Sequence, residues 1–417
     1  MIYIGIDVAK EKHDCCIIDS DGVILNDSLR ISNTLKGFEL LYNSILSVLP
    51  DKDISNVKIG LESTGHYSTN IQSFLYNKGF KLSILNPLAT NLFRKAQTLR
   101  KTKTDKTDAL VIAKMLFSDD TKSYIPVSYQ IQELKSLTRH RYRLIGYRSK
   151  LKISINRLID IIFPELPKLL WSIHQSSSYA LLKELPSPKD IESCHLTKLT
   201  NLLNKASKGK YTKDKAIELK TYAKDSIGTS NRSLSFELQQ TIRLIESVQD
   251  EIKILDNQIK EVVTELNSPI MTIPGISYTL AAIILSEIGE IERFTTPAKL
   301  LAFAGLDPST YQSGKYSASH TPMVKRGSKY LRWAILMASR TVCMRDLTFS
   351  EYLSKKRSEG KHYYIAMSHV SKKLLRVIFY LLKTAFSFLR ILFLQKLPDL
   401  QILLLCFRQG LLYLHLL

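Results

Sequence analysis

Four carboxylates stand where the chain must find them a partner or a task. Asp7 interrupts the apolar run IYIGIDV, and a charge inside such a strand is costly unless it is paired or bound to a metal. Glu62 ends VKIGLE, just before Ser63, Thr64 and Gly65. Asp105 and Asp108 lie in KTDKTDA at i and i+3, so both project from one side of a helix start. Acids at that place also serve as ordinary helix caps. Strand, strand and helix pair is an order that a layered α/β fold can gather at one end. An all-carboxylate set suits hard Mg²⁺, with Mn²⁺ as a substitute. Two such ions about 4 Å apart can activate a nucleophile and stabilise a leaving oxygen in phosphoryl transfer.

Cations surround the helix pair. Arg94, Lys95, Arg100, Lys101 and Lys103 lead into it and Lys106 lies within it, a set able to hold a phosphate backbone or simply to solvate a loop. A second group follows in GLDPSTYQSGKYSASHTPMVKRGSKYLRW. Here Ser313 precedes Lys315, and Lys325, Arg326, Lys329 and Arg332 could grip phosphate oxygens. Taken alone, Ser313 is an ordinary loop serine, and His320 an ordinary solvated histidine. Upstream, IPGIS before an apolar helix has the letters of a helix-hairpin-helix turn, in which Gly275 would offer backbone N–H groups to a phosphate. A Pro-Gly turn between packed helices explains the same letters.

These residues need elements to position them. Residues 1–120 alternate strand and helix signals: Ile2, Ile4 and Ile6, two strands around an Asp-Gly turn in HDCCIIDSDGVIL, a helix from Leu35, strands at 57–62 and 81–85, and helices over about 66–77 and 105–117. This predicts an α/β unit with a mixed sheet. Residues 121–268 are helical. Leu137, Leu144, Leu151, Ile155, Leu158 and Ile162, and then Leu238, Ile242, Ile245, Ile252, Leu255, Ile259 and Leu266, follow coiled-coil spacing. Two such helices can pair within a chain or across a dimer, with 164–232 as a small helical insert. Residues 269–383 form a mainly helical third segment. Residues 384–417 form an apolar tail, broken by Arg390, Pro398 and Arg408, with no run near the ~20 residues a spanning helix needs. The expected class is α/β plus α.

Composition narrows the partners. Of 417 residues, 59 are Lys or Arg and 38 Asp or Glu, a net charge of +21 that favours a polyanion. The excess is uneven: 1–118 carry 15 basic and 12 acidic residues, 119–268 carry 24 and 18, and 269–417 carry 20 and 8. Five cysteines without a Cys-x-x-Cys pair argue against a disulfide framework or a zinc knuckle. The start MIYIGID lacks a basic leader and cleavage site, so a secreted protein is not expected and a cytoplasmic one is.

GIDVAKEKHD, LESTGHY and NPLATNLFRKAQTLRKTKTDKTDALVIAKML resemble the RuvC-like, RNase H-like domain of the DEDD transposases of bridge-RNA-guided insertion sequences. IPGIS, LLAFAGLDPSTYQSGK and KRGSKYLRWAI resemble the C-terminal transposase domain of the same family. Both blocks stand in family order over roughly residues 1–380. The resemblance implies that Asp7, Glu62, Asp105 and Asp108 bind Mg²⁺. It implies that Ser313 attacks a DNA phosphodiester and forms a phosphoserine intermediate. It further implies a homo-oligomer, dimer or tetramer, with composite active sites, and a structured non-coding RNA that pairs with donor and target DNA. The apolar continuation from about Thr384 departs from the family pattern. Two other functions fit parts of the same residues. A junction nuclease using water would need the acids but not Ser313, and a non-catalytic nucleic-acid-binding derivative would need none of the five. No tyrosine-recombinase arrangement is supported.

Overall fold

A computed structural model of the chain describes residues 1–49, 51–62, 65–97, 105–117, 128–229, 231–309, 312–313, 316–317 and 322–388, with backbone alone for Ser28, Asp105, Lys106 and the 312–317 pairs. The chain divides into two compact units, Met1–Pro126 and Val127–Leu417. In the first, strands β1 (Ile2–Val8), β2 (Lys12–Ile18) and β3 (Ile24–Ser32) form an antiparallel meander. Helix α1 (Leu35–Ser47), capped by Thr34, leads to β4 (Val57–Glu62). After α2 (Thr69–Asn77) comes β5 (Lys81–Leu85). The sheet order is β3-β2-β1-β4-β5, with β4 parallel to both β1 and β5. This is the mixed sheet the alternation predicts.

Strand alternation assigns the two faces. Ile4, Ile6 and Val8 of β1 and Val57, Ile59 and Leu61 of β4 form a core with Phe38, Leu41 and Ile45 of α1 and Ile71 and Leu75 of α2. Tyr3, Gly5, Asp7, Lys58, Gly60 and Glu62 therefore point to the other face. That face is covered by α4 (Asp105–Met115), which follows α3 (Pro87–Gln97), a helix that the sequence pattern does not announce. The close approach of α4 needs glycine. A Cβ on Gly5 would overlap the Ala109 carbonyl and the Ala113 amide, and one on Gly60 would press on Leu116 and Ile112 at 3.0 and 3.1 Å.

The second unit is built on two long helices, α5 (Tyr129–Ile162) and α11 (Arg232–Leu266). They pack together within the chain, and ion pairs Arg141–Asp256 (2.6 Å) and Arg157–Glu237 (2.6 Å) show that they run antiparallel. Between them lie five short helices, α6 (Leu166–Leu169), α7 (Ser176–Glu184), α8 (Pro188–Ser193), α9 (Leu196–Ser207) and α10 (Lys213–Lys224). These share one core with Ile155, Leu158 and Ile159 of α5 and Leu238, Ile242 and Ile245 of α11. A second core joins the opposite ends of the pair (Ile131, Leu134, Ile259, Val263) to the C-terminal helices. Those are α12 (Tyr278–Ile288), α13 (Pro297–Ala304), α14 (Lys329–Arg345), α15 (Leu347–Ser358) and α16 (Tyr363–Thr384).

Between Thr138 and Ile155, α5 has no buried residue. Gly146 sits in that stretch, where an added Cβ would meet nothing within 4 Å. Glycine costs a helix interior about 1 kcal/mol relative to alanine, and no contact within the chain offsets it.

Helix α16 ends at Thr384, with Ala385 in a left-handed cap. Beyond it Phe388 is buried against Phe349 (ring centroids 6.3 Å apart), and its amide donates to Thr272 Oγ1 at 2.8 Å. The tail thus begins inside the second core; residues 389–417 lie outside the described set. Among the described residues no helix is long and apolar enough to cross a membrane.

Candidate active site

The acids converge through strand register and helix direction. Ile6 pairs with Leu61 across parallel β1 and β4, so Asp7 and Glu62 follow at the same level, both on the α4 face. Tyr3, at the opposite end of β1, meets Phe117 edge to face with centroids 4.7 Å apart. Phe117 lies just past the C-terminal end of α4, so the helix runs against β1 and its N-terminal turn points towards the end that holds Asp7. Asp105 opens that turn and Asp108 precedes Ala109, the residue that touches Gly5. The described geometry thus brings Asp7, Glu62 and the start of α4 to one end of one sheet face. Among the described residues no group of three His, Cys, Asp or Glu stands close enough to hold a metal, and the Asp105 side chain lies outside that set.

Arg94 of α3 reaches this end. Its Nη1 makes a long ion pair with Asp108 Oδ1 (3.5 Å), and its Nη2 donates to Asn91 Oδ1 (2.9 Å). Lys95 is exposed beside it. Arg100, Lys101 and Lys103 lie outside the described residues, as does the Lys106 side chain.

One further acid belongs to the same neighbourhood. Asp14 pairs with Asp7 across antiparallel β1 and β2, and it faces the α4 side. It is nearly buried and accepts from Arg30 Nε at 2.9 Å. The register that pairs Val8 with His13, and so Asp7 with Asp14, sets it there.

In the second unit Ser313 lies on a hairpin. Ser309 N donates to the Pro322 carbonyl (2.8 Å) and Val324 N to the Asp307 carbonyl (3.0 Å). Farther out, β6 (Gln312–Ser313) pairs antiparallel with β7 (Tyr316–Ser317), with Ser313 opposite Tyr316. The residue expected to lie in a loop is thus in a short strand near the hairpin tip. Lys315 and His320 lie outside the described residues.

The returning strand is anchored to the helical core. Arg332 Nη1 donates to the Ala304 and Lys325 carbonyls at 3.3 and 3.0 Å, which fastens the 325–327 loop to the end of α13. Arg332 is half-buried, and Nη1 is the atom that makes these two bonds. Lys325, Arg326 and Lys329 are exposed. Ser328 caps α14 and donates its hydroxyl to Glu287 Oε2 at 2.7 Å. Glu287, only 3% exposed, also accepts from Arg139 Nε at 2.9 Å. Burial lowers the pKa values of the neighbouring Lys135 and Arg293, and the Glu287 charge opposes both shifts.

Gly275 has φ +92°, and a Cβ there would press on the Thr341 carbonyl at 2.7 Å. The Pro-Gly turn is therefore seated against α14, beside a cleft that Ser277 and Arg345 also line.

Comparison with known proteins agrees with both blocks in order. Residues 4–164 match a DEDD transposase model of the IS110 type, and residues 267–354 match the transposase IS116/IS110/IS902 family. The chain is 25% identical over 393 residues to the 44.8 kDa protein of insertion element IS116 from Streptomyces clavuligerus, covering 92% of this chain and 94% of that protein. It is 24% identical over 382 residues to the pilin gene-inverting protein of Moraxella bovis, covering 90% and 94%. It is 24% identical over 336 residues to the mini-circle putative transposase for IS117 of Streptomyces coelicolor, covering 75% and 78%. With an acid-bearing mixed sheet followed by a helical unit that carries the serine hairpin, the chain belongs to the IS110-type DEDD transposases, enzymes of DNA transposition and recombination.

Proposed function

We propose that this enzyme excises and inserts its own insertion sequence by cleaving and rejoining DNA through Ser313, together with a Mg²⁺ site made by Asp7, Glu62, Asp105 and Asp108. The observation that carries this reading is the meeting of Asp7, Glu62 and the α4 start at one end of one sheet face. The donor set is all oxygen, which suits Mg²⁺ or Mn²⁺ and not a thiophilic ion. Bound there, the ion would neutralise charge that develops on phosphoryl oxygens.

The protein's own groups perform the transfer. Ser313 Oγ attacks phosphorus and loses its proton, the bond from phosphorus to the departing sugar oxygen breaks, and that oxygen takes up a proton. A strand hydroxyl then attacks the phosphoserine and releases the serine, so rejoining needs no external energy source. Exposed Lys325, Arg326 and Lys329 would hold the backbone near the hairpin. The names of the pilin gene-inverting relatives favour a rejoining enzyme over one that only cuts.

The finer assignments belong to the same proposal. A structured RNA from the element selects donor and target by base pairing, while the protein reads backbone and shape, as in guided nucleases. The enzyme is a homo-oligomer in which the acids of one copy act with the serine of another. Residues 1–120 supply the acids, 121–268 space them, and 269–383 supply the serine.

The test compares wild type with Ser313→Ala, each given Mg²⁺, end-labelled donor and target DNA, and RNA transcribed from the element's flanks. A denaturing gel reads labelled DNA attached to protein. An adduct that needs both Ser313 and the RNA is the expected result. Cleavage that survives Ser313→Ala without any adduct would replace this mechanism with hydrolysis by water.

A further inference from the structure

The middle of α5 carries a surface that none of the residues above accounts for. From Leu134 to Ile159 the helix has eight lysines and arginines and no carboxylate. Arg139 and Arg141 are engaged with Glu287 and Asp256. Arg143 and Lys150 are exposed and enter no ion pair among the described residues. Seven residues apart, they lie on one helix face about 10 Å apart along its axis. Tyr147, 55% exposed, and Ile153, 69% exposed, flank them.

Gly146 occupies the centre of that face. Its position has room for a side chain, yet it carries none, and no neighbour in the chain explains the choice. A glycine at such a place permits something outside the chain to approach the helix closely.

The face continues into the segment behind the serine hairpin. Tyr142 of α5 packs edge to face on Tyr330 of α14 with centroids 5.0 Å apart, and Lys329 lies over both rings at 5.9 and 5.2 Å. Trp333, one turn on, is 41% exposed. Basic and aromatic side chains thus run from α14 along α5 without a carboxylate on the outward face.

The geometry points to a DNA-docking track: the outward face of α5, centred on Gly146, holds the backbone of the DNA that flanks the phosphate at Ser313. Its direction rests on the proposed role of Ser313. The polyanion itself follows from the charge, since a face of cations does not pair with a second copy of itself. DNA is the occupant because the track leads to the residue that reacts with DNA.

The experiment measures equilibrium binding of the full chain to fluorescein-labelled donor-junction duplex DNA, and to an RNA duplex of the same sequence, over a salt series. The variants are Arg143→Glu with Lys150→Glu, and Gly146→Gln. The double reversal should weaken DNA binding about tenfold or more and reduce the slope of log affinity against log salt by about two. Gly146→Gln should raise the melting temperature, because glutamine is the better helix former, and still weaken DNA binding several-fold. Unchanged DNA affinity in both variants would overturn the track. So would a loss confined to RNA, or a loss of self-association, seen by light scattering, with DNA binding intact. The readout needs no covalent chemistry, so it is independent of whether Ser313 forms the adduct.

Discussion

Tyr3 and Phe117 meet edge to face at opposite termini of their elements, the first near the start of β1 and the second just beyond the end of α4. Ring pairs of this kind are worth about 0.5–1.5 kcal/mol beyond the area they bury. Here the pair does more than add stability. It marks the direction of α4 on the sheet: the helix ends beside Tyr3, so Asp105 and Asp108 start at the end where Asp7 and Glu62 finish.

The two glycines under α4 should respond differently to alanine. At Gly5 the new methyl group meets backbone, which cannot swing away, whereas at Gly60 it meets the ends of Leu116 and Ile112. Gly5→Ala should cost about 2–3 kcal/mol and displace the helix start, while Gly60→Ala should cost about 1 kcal/mol or less. Urea unfolding measures both costs, and loss of strand cleavage reports the displaced helix start in Gly5→Ala. Equal losses would show that α4 is not held as tightly over β1 as described.

Removing the metal or a carboxylate should abolish cleavage without abolishing nucleic-acid binding. Asp7→Ala or Asp105→Ala should leave DNA affinity within about threefold of wild type, because phosphate contacts by cations dominate it. EDTA should have the same effect as either substitution, with Mg²⁺ or Mn²⁺ restoring activity to the wild type alone. Full cleavage in EDTA would end the metal assignment.

The pair around Glu287 should be asymmetric. Arg139→Ala leaves the buried carboxylate with the Ser328 hydroxyl and the nearby charges of Lys135 and Arg293 but without its hydrogen-bonded cation, and should cost about 2–3 kcal/mol. Glu287→Gln leaves an arginine that is already 41% exposed and can turn to water, and should cost about 1–2 kcal/mol. Because Ser328 opens α14 behind the serine hairpin, both changes should also slow adduct formation at saturating DNA. A larger stability loss for Glu287→Gln would reverse the argument.

Acid should weaken the first unit through His13. The ring is fully buried and stacks on Phe38 at 5.9 Å, and the polar groups beside it, Asn33, the Lys12 backbone and Asp14, offset only part of the cost of charging it. Burial holds its pKa below the ordinary 6.5. The unfolded chain therefore takes up a proton first as pH falls. Stability is complete above about pH 6.5 and declines below it, by at most about 1.4 kcal/mol per pH unit, until the folded ring also protonates. His13→Leu should flatten that decline in thermal melts between pH 7 and 5. An unchanged profile would mean that the buried ring does not control it.

Much of the first unit was legible because its strands alternate and its acids break the alternation. Asp7 and Glu62 stand out among Ile4, Ile6, Ile59 and Leu61 for that reason. Asp14 does not stand out in this way, because it follows a histidine and precedes two cysteines, a context with no clear period; only the register with Asp7 shows its place. Helix α3 leaves no such mark, since Leu88 and Leu92 are exposed and its apolar residues form no core-facing stripe. The heptads of α5 and α11 gave two helices but left open whether they pair within the chain, a matter decided by Arg141–Asp256 and Arg157–Glu237. The acid-free stretch of α5 vanished in regional charge sums, because the acids of α11 balance it in sequence. Ser313 was legible only by resemblance, since nothing in its local letters marks a nucleophile.

The gap between the two cores on α5 and α11 has a consequence for how the second unit comes apart. No buried residue of α5 ties the insert's core to the core that anchors the serine hairpin. Each should therefore open as its own cooperative block, with amide exchange along α5 fastest between Thr138 and Ile155. Damage to α6–α10 would then leave the hairpin's foundation at full strength, with the middle of the pair held by the seam between α5 and the buried Ile252 and Leu255 of α11.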